Sequence, residues 1–174
     1  IALAEATGAR FVLLGRSPLV EDPCPELTEL AEINRFLLQR SKDAGKMLLP
    51  PGLRKECRQI LAGREIRRTL SAISTAGGQA QYWSADVTDS KAIEQVVSQV
   101  QKDWGSITGI VHGAGVLADK LIVEKEPEDF DWVHSVKVDG AGALLSSVPL
   151  KQLKLVCFFS SIAARSGNRG QADY

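Results

Sequence analysis

The run Arg10-Phe11-Val12-Leu13-Leu14-Gly15, with Arg16-Ser17 behind it, decides how this chain is read. Its apolar residues follow one another without alternation and end on a glycine. That is the habit of a strand covered on both faces, as in a parallel sheet. Two further runs share the character, Ser106-Ile107-Thr108-Gly109-Ile110-Val111-His112 and Leu153-Lys154-Leu155-Val156-Cys157-Phe158-Phe159-Ser160, and Gln79-Ala80-Gln81-Tyr82-Trp83-Ser84 is a weaker fourth. Between them lie amphipathic stretches of helical length. Ser90 to Trp104 sets Ile93, Val96, Val97 and Val100 at helical spacing, and Glu126 to Leu145 does the same with Phe130, Val133 and Val136. Strands alternating with helices predict an α/β fold on a doubly wound parallel sheet with right-handed crossovers.

One segment breaks the rhythm. Residues 18–75 form a charged insertion far longer than a bare crossover needs, punctuated by Pro23, Pro25, Pro50, Pro51 and Gly52. Two helical patterns are visible in it, Glu26 to about Lys46 and Leu53 to about Ala76, and the Pro50-Pro51-Gly52 break between them predicts a helical hairpin on one face of the sheet. Bases such as Arg54, Arg58, Arg64, Arg67 and Arg68 alternate with acids rather than aromatics, which fits a solvated or domain-docking face better than a nucleic-acid surface.

With 174 residues and 44% apolar content, the chain suits one domain over 1–174. Lys+Arg and Asp+Glu both number 21, so no net field marks a nucleic-acid or membrane binder. Cys24, Cys57 and Cys157 form no Cys-x-x-Cys pair, which disfavours a zinc site or disulfide framework and fits a reducing, cytoplasmic setting. His112 and His134 stand at ligand spacing with no cysteine, so no metal is expected. No apolar run approaches the ~20 residues that span a bilayer. The opening Ile1-Ala2-Leu3-Ala4-Glu5-Ala6 reads as the inside of a helix closed by Gly8, so the chain is expected to be a fragment.

In doubly wound folds ligands sit beyond the carboxyl ends of the strands, and four such ends carry informative residues. Gly15-Arg16-Ser17 offers a guanidinium fork and a hydroxyl, suited to the 2′-phosphate of NADP, or else forms an ordinary exposed turn. Asp86-Val87 can receive an adenine amino group and pack on its ring; equally, Asp86 or Thr88 can cap the following helix. Gly113-Ala114-Gly115 lets the backbone approach a sugar closely, or is simply a tight turn. Last, Ser161 follows a strand, and Tyr174 follows a loop in which Gly167 and Gly170 permit a sharp return. Ketone reduction needs a proton donor at the carbonyl oxygen and a group that steadies the developing alkoxide. A tyrosine beside an ammonium can donate, a serine can hydrogen-bond the oxygen, and Lys137 is the candidate ammonium. Singly, each has a bland alternative: an exposed lysine, a strand cap, an interface tyrosine.

These blocks resemble the ketoreductase domains of polyketide and polyunsaturated fatty acid synthases, members of the short-chain dehydrogenase/reductase family. The resemblance runs through Val12 to Ser17, Asp86-Val87-Thr88-Asp89, His112 to Lys120, Lys137-Val138-Asp139-Gly140, and Phe159-Ser160-Ser161 through Gly167, Gly170-Gln171 and Tyr174. It implies a Rossmann domain of the short-chain dehydrogenase type that uses NADPH to reduce a β-ketoacyl thioester on an acyl carrier protein, working beside other synthase domains. By position, Gly15, Arg16 and Ser17 match the 2′-phosphate contacts and Asp86 and Val87 the adenine contacts. Gly113, Ala114 and Gly115 match the wall along the ribose and nicotinamide. Ser161, Tyr174 and Lys137 match the catalytic serine, tyrosine and lysine, with the lysine upstream of the tyrosine as in synthase ketoreductases. The glycine-rich phosphate loop and the catalytic asparagine of the family have no counterpart in these residues, so the resemblance implies a fold truncated at both ends. Two rivals remain open at this stage: a catalytically inactive domain that braces its neighbours, and a module that senses NADP(H).

Overall fold

The computed structural model describes residues 1–174. In chain order the elements are α1 (Ala2–Thr7), β1 (Arg10–Gly15), α2 (Leu30–Asp43), α3 (Pro50–Thr75), β2 (Gln79–Ser84), α4 (Ser90–Trp104), β3 (Gly109–His112), α5 (Pro127–Ser147), a 3₁₀ turn (Leu150–Gln152), β4 (Leu155–Phe158) and α6 (Ile162–Ser166). The α/β alternation and the parallel pairing agree with expectation. β1 pairs with β2 and β3 with β4, both in parallel. The chain accordingly divides into two compact units, Ile1–Ser84 and Ala85–Tyr174.

In the first unit β1 and β2 pair along their full length, from Arg10 opposite Gln79 to Gly15 opposite Ser84. Helices α2 and α3 pack on each other, and α3 packs on β2. Their shared core buries Cys24, Ile33, Leu37, Cys57 and Ile60, each large side chain contributing about 1.5–3 kcal/mol by leaving water. The insertion is therefore the helix pair its pattern predicts, with shifted boundaries. The first helix begins at Leu30 rather than Glu26: the carbonyls of Cys24 and Leu27 are drawn to Arg64, and Cys24 O receives the Leu27 N–H in a single turn that does not continue as helix. That guanidinium donates to Asp22 Oδ2 at 2.6 Å, Cys24 O at 2.6 Å and Leu27 O at 2.5 Å. The second helix begins at Pro50 rather than Leu53: the two prolines do not break it but form its first turn, where a missing N–H costs nothing.

In the second unit β3 and β4 run in register from Gly109 opposite Leu155 to His112 opposite Phe158. Asp89 caps α4 by accepting from the Ala92 N–H at 3.1 Å, and the helix buries Ile93, Val96, Val97 and Val100 where it packs on α5. A capping box between Glu126 and Asp129, with Pro127 in the first turn, starts α5. This helix also packs on β3. β3 buries Ile110 and His112 and exposes Val111, while in β4 Leu155, Val156 and Phe158 are exposed and Cys157 is half-buried, so neither apolar run is covered on both faces in this unit. No helix in the structure is long and apolar enough to cross a membrane.

Candidate functional site

The second unit gathers the residues assigned to catalysis. Lys137 lies on α5, and its Nζ donates to the carbonyl of Phe159 at 3.1 Å, just beyond the end of β4 and two residues before Ser161. A Cβ at Gly115 would stand 3.1 Å from Lys137 Cε and 3.3 Å from Nζ. Glycine there leaves the ammonium room beside the main chain that follows β3. The carbonyl of Lys137 is held too, 3.1 Å from Nε2 of His112, a buried residue at the end of β3. One turn later on the helix, a Cβ at Gly140 would come within 2.8 Å of Val87 Cγ1 and 3.4 Å of His112 Cε1. The helix is seated on these two side chains, and that seat fixes where Lys137 projects.

Ser161 is half-buried and caps α6, its Oγ accepting from the Ala163 N–H at 3.2 Å. The bland strand-cap role is thus occupied, while the hydroxyl hydrogen remains free to donate elsewhere. Tyr174 is also half-buried, and its N–H donates to Gln171 O at 3.2 Å. Its hydroxyl makes no hydrogen bond to Ser161 or to Lys137. The structure therefore brings Lys137 to Gly115 and to the strand end leading into Ser161, and joins the tyrosine hydroxyl to neither by a hydrogen bond.

The loop that delivers Tyr174 is tied to the residues after β3 at several points. The Lys120 N–H donates to Gly170 O at 3.0 Å, and Gln171 Nε2 donates to Asp119 Oδ2 at 2.9 Å. Lys125 Nζ donates to Asp173 Oδ2 at 2.6 Å and to Ala118 O at 2.7 Å; these two side chains are only 5% and 1% exposed. Lys120 in turn bonds Asp129 of α5 at 2.6 Å, which holds the Asp129 carboxyl below its ordinary value and the Lys120 amine above its own. Sequence reading missed Lys125 and Asp173, since residues so far apart carry no spacing signal.

Of the residues matched to cofactor contacts, Gly15, Arg16 and Ser17 lie in the first unit. Tyr82 crosses Gly15, where a Cβ would meet its hydroxyl at 2.7 Å, and donates to Ser17 O at 2.6 Å. Burial pushes the Tyr82 phenol up, so it stays a donor. Ser84 Oγ adds a bond to Arg16 O at 3.3 Å. These ties fix the backbone of the turn and leave the Arg16 side chain exposed without a salt bridge. In the second unit Asp86 Oδ1 accepts from the N–H and hydroxyl of Thr88 at 3.0 and 2.8 Å. The cap of α4 is Asp89, so neither Asp86 nor Thr88 fills the capping role considered for them. Gly113, Ala114 and Gly115 are exposed along the segment after β3. No group of three or more His, Cys, Asp or Glu side chains is placed to hold a metal.

Comparison with known proteins gives this geometry its context. A family model described as "KR domain" matches residues 1–174. A polyunsaturated fatty acid synthase component of Thraustochytrium sp. is 34% identical over 179 residues, covering 98% of this chain and 6% of that protein. Among solved structures, a ketoreductase domain from the bacillaene assembly line matches with a TM-score of 0.68 and 27% identity, over 99% of this chain and 31% of that one. An N-terminal ketoreductase from the macrolactin assembly line matches with a TM-score of 0.69 and 24% identity, over 99% of this chain and 27% of that one, a likeness of fold alone. The chain thus spans under a third of each of these proteins. The fold class is the α/β Rossmann type of short-chain dehydrogenases that these ketoreductases share.

Proposed function

Since the chain belongs to the KR domain family, we propose that in the complete protein it forms the greater part of an NADPH-dependent ketoreductase site. The reaction is reduction of a β-ketoacyl thioester on an acyl carrier protein to the β-hydroxyacyl thioester, within a cytoplasmic polyketide or polyunsaturated fatty acid synthase. What supports this most is the Lys137 ammonium, held at 3.1 Å by Phe159 O and accommodated by Gly115. A merely solvated lysine needs neither an anchor nor a glycine opposite it.

Bound NADPH supplies the hydride that adds to the carbonyl carbon. The remaining chemistry is the protein's own. The Tyr174 hydroxyl gives its proton to the carbonyl oxygen, and the Ser161 hydroxyl donates a hydrogen bond that orients that oxygen. Lys137 holds the cofactor ribose and, as a nearby cation, favours proton release by Tyr174. In the first unit Arg16, with Gly15 and Ser17, would take the 2′-phosphate; in the second, Asp86 and Val87 would take the adenine, and Gly113, Ala114 and Gly115 would line the ribose and nicotinamide. The residues fit the group in two respects. The one cation of the Gly15–Ser17 turn is exposed and unpaired, and the segment after β3 is of residues small enough for close approach.

The test is Tyr174→Phe in the complete protein. It keeps NADPH affinity and lowers β-ketoacyl reduction by about 10²- to 10⁴-fold, the usual worth of a general acid. Wild-type turnover by this variant overturns the assignment.

A further inference from the structure

The most heavily buried charges near the site are Lys125 and Asp173, side chains 5% and 1% exposed. Removing two charges from water costs several kcal/mol per ion, and a well-packed apolar pair would often stabilise as well or better. Stability alone is thus a poor account of them, and their place in the chain suggests another. Asp173 immediately precedes Tyr174. Lys125 immediately precedes Glu126, the N-cap of α5 with its capping box to Asp129, so its backbone is anchored to a rigid helix start. The same helix carries Lys137. The hydrogen bonds from Lys120 N–H to Gly170 and from Gln171 to Asp119 hold the loop farther back, with the Tyr174 N–H on Gln171 O; the ion pair is what ties Asp173, the residue beside the tyrosine, to the start of α5.

We propose that Lys125 is a positioning residue of the reductase: through its buried ion pair with Asp173 it fixes the main chain beside Tyr174, so that α5 sets the place of both the Lys137 ammonium and the Tyr174 hydroxyl. The inference rests on the function proposed above for Tyr174. It requires that loss of the pair disturb the proton-donating step while leaving cofactor binding intact, since neither residue belongs to the cofactor contacts. A displacement of about 1 Å in a catalytic group can lower a rate about 10²-fold.

The experiment compares Lys125→Met, Lys125→Arg and Asp173→Asn with wild type in the complete protein, using a short β-ketoacyl thioester as substrate and NADPH binding as a second readout. Lys125→Met is expected to lower kcat by about 10- to 100-fold with NADPH Kd unchanged, and Lys125→Arg, which keeps the charge, to recover part of the loss. If Lys125→Met does not fold, Asp173→Asn, which preserves shape, is expected to show the same split. Unchanged kcat in the folded variants, or equal loss of kcat and cofactor affinity, overturns the proposal. Tyr174→Phe run alongside separates the two claims. If it is inactive while Lys125→Met is wild type, only the positioning role falls; if it turns over normally, both fall.

Discussion

Gly115→Ala separates the position of the Lys137 ammonium from the stability of the fold. Gly115 is not among the glycines with positive φ, so alanine fits its backbone without strain. The new Cβ would sit 3.1 Å from Cε and 3.3 Å from Nζ of Lys137, inside ordinary van der Waals contact. What it meets is the flexible tip of a half-buried lysine, so the side chain swings away at little cost in stability. Yielding by a few tenths of an ångström carries the 3.1 Å bond to Phe159 O beyond the usual range of about 2.7–3.2 Å and weakens it. A hydrogen bond to a charged group contributes about 1.5–3 kcal/mol, and its exposure puts this one at the lower end. At about 1.4 kcal/mol per factor of ten, one displaced interaction lowers kcat/KM about tenfold. Loss of both the ribose and the tyrosine interactions approaches about 100-fold. NADPH oxidation with a β-ketoacyl thioester measures the rate, and thermal unfolding measures the fold, where no change is expected. The matched control is Gly142→Ala on α5, where a Cβ meets nothing within 4 Å; it should gain about 0.5–1 kcal/mol of helix stability at unchanged rate. Wild-type kcat/KM in Gly115→Ala would refute the claim that the ammonium must stand where it does.

Two further outcomes follow from the first unit. Arg16→Ala, at an exposed and unpaired guanidinium, leaves stability unchanged and weakens NADPH binding by about 10- to 100-fold with NADH binding unaltered; calorimetric titration showing equal loss for both cofactors would remove the 2′-phosphate role. Arg64→Met takes the ion-pair partner from Asp22 and one donor each from the carbonyls of Cys24 and Leu27, leaving Asp22 only the Cys24 N–H and Cys24 O only the Leu27 N–H, which costs about 3–5 kcal/mol of stability at neutral pH. The Asp22 carboxyl lies below its ordinary value of 3.8, chiefly through its hydrogen bond to Arg64. The contribution of the pair is therefore complete above that value and fades as pH falls through the lowered one. In denaturant unfolding the gap between wild type and variant should narrow as pH falls from 3.8 through the lowered value, down to the share owed to the Cys24 and Leu27 carbonyls, and a gap constant with pH would rule out the ion pair as a contributor.

How far the sequence disclosed this structure depended on whether local chemistry marked an element. Gly15 and Ser84 close β1 and β2, and Asp89 and Gly105 bracket α4; these elements fall where the pattern places them. Boundaries drifted where a distant group intervened. Thr108 falls outside β3 because its carbonyl receives the N–H groups of both Lys154 and Leu155 at the entry to β4. The start of α2 shifted because Arg64, far along the chain, takes the carbonyls of Cys24 and Leu27. Arg64 had read as one more base on a solvated face, and no periodicity distinguishes a guanidinium that turns inward from its exposed neighbours Arg67 and Arg68.

The candidate site shows the same division at finer grain. Lys137-Val138-Asp139-Gly140 was legible as a block without a reason for its spacing, and the packing supplies one. A helix can press against Val87 and His112 only where it lacks a side chain, and Gly140 is that place, since any Cβ would lie 2.8 Å from Val87 Cγ1. One turn earlier, the same contact puts the Lys137 carbonyl on His112 and carries its side chain to the end of β4. The glycine sets how deeply the helix sits, and the depth sets the reach of the ammonium. Val87, read only as a neighbour for an adenine ring, is also the surface on which that depth is gauged, so a larger residue at either position would move Lys137 without touching it.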